Sequence, residues 1–150
     1  MDTLKIKGFV KVQIVDSKTG KIVSDSGWNK NTVTDLGFKH YITESLGNIA
    51  GSSQVGYMVI GTGTAPNATH TTLDGETSVR MTTLNSVIDS KTLQATCQFY
   101  GSDMGNTCTI QNVALVNTSI GGTILCGTTY ATSQWASNQN ILSSYQLRFS

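Results

Sequence analysis

The sequence predicts an all-β protein: an antiparallel sandwich or jelly-roll-like barrel of about eight strands with one short helix. Three observations carry this. Short segments that alternate apolar and polar residues recur along the chain. Turn-forming Gly, Asn, Asp and Ser separate them at near-even spacing. Only one stretch has helical periodicity. The 150 residues fit one domain, with 38% hydrophobic residues to supply a core and only 13% charged, so residues 1–150 read as a single β-sandwich domain. No repeat at a solenoid period is present.

The elements follow in order. Gly8 to Asp16 alternates Val10, Val12 and Ile14 against Lys11 and Gln13, a half-buried strand. Ser17-Lys-Thr-Gly20 is a turn, and Lys21 to Trp28 returns as a hairpin partner, with Trp28 placed in the core. Thr34 is the expected N-cap of the helix and Asp35 suits its positive end. Leu36, Phe38, Ile42 and Leu46 mark an apolar stripe, closed by Gly47-Asn48. Val55 to Gly61 is apolar at both parities, a strand covered on both faces. Residues 62–75 form a long polar loop behind the elbow Gly61-Thr-Gly63, whose glycines are expected to let the backbone turn sharply. Thr77 to Ile88 reads as one strand, and Leu93 to Phe99 as the next. In Thr107 to Val116 the apolar parity switches near Gln111-Asn112, which points to a β-bulge. Thr123 to Ala131 is a strand, residues 132–140 a polar loop around Trp135, and Tyr145, Leu147 and Phe149 alternate in the last strand.

Composition excludes several function classes. The formal net charge is +1, and the sequence holds no basic run, so no direct nucleic-acid partner is expected. No run approaches the roughly 18 apolar residues of a membrane span. The start Met-Asp-Thr-Leu-Lys-Ile-Lys has no apolar signal core, so synthesis in a cytoplasm is expected. Thr19-Gly-Lys21 lacks the upstream glycine of a phosphate loop, and Gly61-Thr-Gly63 opens no helix. His40 and His70 stand far apart without further ligands at metal spacing, and no nucleophile elbow supports a triad. The expectation is therefore no enzyme, no cofactor, no metal and no catalytic residue.

Cys97, Cys108 and Cys126 show no C-x-x-C spacing and read as reduced, inert side chains pointing into one apolar layer. The alternative is a Cys97–Cys108 bridge, although the turn register does not set the two opposite each other. Glu76 and Arg80, four apart on a strand, are not expected to meet as they would on a helix. Trp135 reads either as packing at the sandwich edge, as an interface anchor, or as a platform for a sugar.

Asn31-x-Val-Thr-x-x-Gly37, Met58-x-Ile-Gly-Thr-Gly-Thr-x-Pro66, Thr72-Leu-x-x-Glu76-x-x-x-Arg80 and Ile110-x-Asn-Val-Ala-Leu-x-Asn117 occur in that order. With this spacing the chain resembles a loose family of small tailed-bacteriophage virion structural proteins. In that family an acidic residue often stands where Asn112 is here, and Leu-Phe-Asn where Leu115-Val-Asn117 is. The resemblance implies a virion component: a capsid decoration (cement) protein that binds and stabilises the assembled head, with the major capsid protein as partner. The alternative it implies is a tail or fibre-associated module that contacts a host receptor or glycan. A homo-oligomer is expected, with a trimer as the number suggested by the threefold positions of icosahedral shells. Residues 1–7 are expected to act as an N-terminal arm. The candidate interface residues are Ile6, Lys7, Thr62, Thr64, Pro66, Asn67, His70, Glu76, Arg80 and Trp135.

Overall fold

A computed structural model describes residues 5–103 and 107–150, the side chains of 78 and 131–133 excepted. The strands are β1 (Ile6–Asp16), β2 (Ile22–Asp25), β3 (Asn29–Lys30), β4 (Thr32–Val33), β5 (Tyr57–Gly61), β6 (Glu76–Thr82), β7 (Leu84–Asp89), β8 (Thr92–Tyr100), β9 (Cys108–Val116), β10 (Ile124–Trp135) and β11 (Gln139–Phe149). One sheet has the order β2-β1-β11-β8-β7, with β3 also paired to β1; the other has the order β4-β10-β9-β5-β6. Every pairing is antiparallel. The all-β sandwich with one short helix is the observed fold. Val10, Val12, Ile14, Phe99, Ile141 and Tyr145 of the first sheet pack against Met58, Ile60, Ile110, Val113 and Leu115 of the second.

Two differences in strand count have physical reasons. Residues 77–88 do not form one strand. The chain breaks at Thr83, whose N–H donates to the Gly56 carbonyl at 2.9 Å, and passes from the second sheet into the first. No Gly or Pro marks this corner, so the sequence reads through it. The other additions, β3 and β4, are two-residue pairings that follow the main chain from one sheet to the other.

The parity switch in β9 is observed. Ile110 belongs to the inter-sheet core, while Ala114 and Val116 face a second cluster with Val59, Leu73 and Ile124. The irregularity lies opposite, on β10: Asn112 pairs with Thr129 and Ile110 with Ser133, so the extra residues are in β10. That irregular pairing carries β10 on to Trp135, shortening the expected loop. Trp135 is fully buried, edge-on to Phe99 at 6.4 Å, and its Nε1–H donates to the Gln139 carbonyl at 2.8 Å. It is a core residue, which corrects the reading of Trp135 as an interface anchor or sugar platform. Trp28 is corrected in the other direction: it is 45% exposed, with the Lys11 ammonium 5.4 Å from its ring.

The helical run, residues 35–46, consists of α turns Asp35–Gly37 and Glu44–Leu46 around a π turn, Phe38–Thr43. Thr34 caps it as expected, accepting from Gly37 N–H at 2.9 Å and donating to the Ile124 carbonyl at 2.8 Å. The π turn widens the helix and rotates its buried face. Gly37 and Tyr41 are buried and Ile42 packs beside them, whereas Leu36, Phe38 and Leu46 of the expected stripe are exposed.

All three cysteines are free, and all three pack in or against the inter-sheet core. Burial pushes the Cys97 and Cys126 thiols up to about 12 and raises Cys108 as well. The thiolate is suppressed and the side chains behave as small apolar groups.

The expected arm divides. Lys5 exchanges backbone hydrogen bonds with Ser150 at 2.7 and 2.9 Å, and Ile6 and Lys7 lie in β1 opposite Phe149 and Arg148. Residues 5–7 are thus sheet, not arm, because β11 offers them a full ladder. Residues 1–4 lie outside the described residues.

Candidate interface loop

The long polar loop is the feature with the most built structure outside the core. It does not hang free: it lies over the outer face of the second sheet. Leu73, the one large aliphatic residue in 62–75, is 4% exposed and packs on Val59, Ala114, Val116 and Ile124. This is why β5 is apolar at both parities: Met58 and Ile60 face the inter-sheet core and Val59 faces the loop. Pro66 is also buried; a Cβ added to Gly127 would stand 2.7 Å from its Cγ.

Backbone bonds tie the loop at three more places. Thr62 N–H donates to the Gly75 carbonyl at 3.0 Å, Ile124 N–H to Thr71 at 2.9 Å, and Asp35 N–H to Ala68 at 2.7 Å. The β9 side chains complete the seat. Gln111 Nε2 donates to the carbonyls of Thr62 and Gly63 at 2.7 and 3.0 Å. Asn112, fully buried, donates through Nδ2 to the carbonyls of Thr64 and Asp74 at 2.9 and 2.8 Å. Carbonyls that would otherwise be orphaned against the sheet are satisfied, which is the condition for a loop to pack.

The elbow glycines work differently from the expectation. Gly61 and Gly63 do not have positive φ. Gly63 is required by close approach, since a Cβ there would meet the Asp74 carbonyl oxygen at 2.4 Å. The left-handed position is Gly75, at φ 63°.

What the loop presents is polar and held. Asp74 Oδ2 accepts from Thr64 N–H at 3.0 Å and from its hydroxyl at 3.2 Å. These bonds, the backbone one first, hold the Asp74 carboxyl below the usual carboxylate range. Asn67 Oδ1 accepts from the N–H and hydroxyl of Thr69, and His70 Nδ1 accepts from Asn67 N–H at 3.3 Å. Thr64, Thr69, His70, Thr71, Thr72 and Asp74 line an open cleft of about 510 Å³. Among the described residues, no group of three His, Cys, Asp or Glu side chains could hold a metal ion.

Glu76 and Arg80 do meet, which corrects the expectation for a strand. Arg80 Nε donates to Glu76 Oε1 at 2.5 Å and Nη2 to Oε2 at 3.1 Å. Opposite Val59 to Gly61, β6 runs from Arg80 to Glu76, so it carries two extra residues, and the bulge brings the pair together. Arg80 Nη1 also donates to the carbonyls of Thr118 and Gly121 at 2.9 and 2.8 Å. The pair staples the strand to the 117–122 turn.

Of the sequence-derived residues, the structure thus gathers Thr62, Thr64, Pro66, Asn67 and His70 in one seated loop, with Glu76 and Arg80 at its exit. Ile6 and Lys7 lie in β1, and Trp135 in the core. Sequence reasoning missed Leu73, Gln111 and Asn112 as anchors. A lone leucine in a polar loop was the available signal. No protein-family model, curated protein or solved structure matches this chain.

Proposed function

We propose that this protein is a structural subunit of a tailed-bacteriophage virion, a decoration protein that binds the assembled head and stabilises it. It would be made in the host cytoplasm, act through contacts with the major capsid protein and with copies of itself, and carry out no catalysis. The supporting observation is the seated loop. Thr62, Thr64, Asn67, Thr69, His70 and Asp74 are presented in fixed geometry, anchored by Leu73, Asn112 and Gln111. A surface ordered before contact loses little conformational entropy on binding, which suits a protein whose task is to dock. The resemblance of the motif order to small virion proteins supplies the setting.

The test is co-sedimentation of the purified protein with heads of the phage that encodes it, alongside binding to host cells. The expected result is saturable head binding that Thr64→Arg and Asn67→Arg weaken. Firm cell binding without head affinity would replace this reading with that of a tail or fibre-associated module contacting receptor or glycan.

A further inference from the structure

The edge strand β7 carries an inference that does not depend on the virion reading. It ends the first sheet, with β8 on one side and, among the described residues, no strand on the other. All six of its residues are exposed. Pairing fixes its faces: Leu84 and Ser86 stand opposite Thr96 and Gln94 on the outer face, Asn85 and Val87 opposite Ala95 and Leu93 on the inner one. Leu84 and Val87 are each 74% exposed, and Ile88 49%. Apolar exposure on both faces of one strand is not explained by a partner lying on either face. Only an added strand, arriving edge-on, brings side chains beside both. The unpaired N–H and C=O groups of the edge select the same occupant.

The other described edges are blunted. β2 is four residues long, slips in register against β1 and ends on Asp25. β4 is two residues. β6 is bulged and carries the Glu76–Arg80 pair. β7 has no Lys, Arg or Pro; its one charge, Asp89, and its bulge at Val87–Asp89 both lie at its end. Among the described edges, the one able to pair with β7 is β7 itself.

We propose that β7 is a self-pairing edge that joins two copies of this chain antiparallel across a twofold axis. The axis must be normal to the sheet, so each residue can stand only opposite one from its own face. Registers centred on Ser86 and on Val87 overlap equally, but the second would set inner-face Asn85 against Asp89, which pairs with Thr92 of the outer face, so the register centres on Ser86. It sets Ser86 against the partner's Ser86, Leu84 against the bulged Ile88, and Val87 against Asn85. Both free edges become interior, and the first sheet runs continuously through two molecules. Such a pair closes at two copies, so a dimer replaces the trimer expected from shell symmetry. Six residues a side bury less than the roughly 800 Å² per partner of a standard interface, so the dimer is weak and fills as copies crowd.

Sedimentation velocity from about 10 µM to about 1 mM reads the equilibrium, and oxidation of Ser86→Cys reads the register. The expected result is a monomer–dimer equilibrium, a disulfide-linked dimer for Ser86→Cys, and at least about tenfold weaker association for Leu84→Lys. Val87→Lys provides a second variant on the opposite face, with circular dichroism showing that each variant is folded. A wild type that stays monomeric over the range, or forms trimers that Leu84→Lys and Val87→Lys leave intact, overturns the proposal. So does a dimer in which Ser86→Cys fails to cross-link.

Discussion

Two leucines, eleven residues apart in sequence, are placed against ordinary expectation. Leu73 sits in a loop and is 4% exposed; Leu84 sits in a strand and is 74% exposed. The loop is closed in every sense. Its apolar residue is covered, its carbonyls are met by Gln111 and Asn112, and its carboxylate is held by Thr64. The strand is open: extended and bulged only at its end, paired on one side, and apolar on both faces. Secondary structure is therefore a poor guide to where this molecule is finished. The satisfied region is a loop and the unsatisfied one a strand, because burial depends on what covers a segment rather than on its own hydrogen-bond pattern.

The sharpest break of this contrast is to remove the covered leucine. Leu73→Ala should cost about 3 kcal/mol, since it empties the plug between loop and sheet. Denaturant unfolding measures it, and a loss below about 1 kcal/mol would mean that the loop is not seated by this residue.

Gly63→Ala comes next, at about 2 kcal/mol, because the new methyl meets a backbone oxygen that cannot move without lifting residue 74. An unchanged unfolding midpoint would show that the close approach relaxes freely.

Asn112→Leu should cost about 2 kcal/mol by leaving the Thr64 and Asp74 carbonyls buried without donors. Asn112→Asp sharpens the point, because it keeps the shape of the side chain and replaces the donating amide with an acid. An ionised carboxylate would face those two carbonyl oxygens, so burial and repulsion would raise its folded pKa above the unfolded value near 3.9. The variant should then be most stable below that value and lose stability as pH rises through the folded pKa. A pH-independent midpoint for Asn112→Asp would contradict the assigned contacts.

Acid should loosen the loop in the native protein too. The Asp74 carboxyl titrates below its unfolded value, so its bonds to Thr64 are present above about pH 4 and are lost as pH falls through the folded pKa. The Thr64 amide should show faster hydrogen exchange in that window, while the amides of β9 stay protected.

The smallest effect belongs to the other leucine: Leu84→Ala should leave monomer stability within about 0.5 kcal/mol. A larger loss in dilute protein would place Leu84 in the fold rather than at its margin.

The amino-acid sequence by itself determined the class of fold, the N-cap at Thr34, the apolar double parity of β5 and the parity switch in β9. Each is written in neighbouring residues, where alternation, capping chemistry and turns act over a few positions. It also marked 62–75 as a loop with structure to explain. The tertiary structure alone decided the rest. Trp135 lies in the core and Trp28 at the surface because burial is set by the opposite sheet and by how far β10 continues, not by polar neighbours in sequence. Glu76 met Arg80 because a bulge shortened the strand between them. The corner at Thr83 divided one apparent strand between two sheets and left β7 as a free edge. Asn112 became the clasp of the loop only once β9 lay beneath it. These outcomes depend on contacts between segments distant in the chain, and a local pattern of residue types holds no record of them.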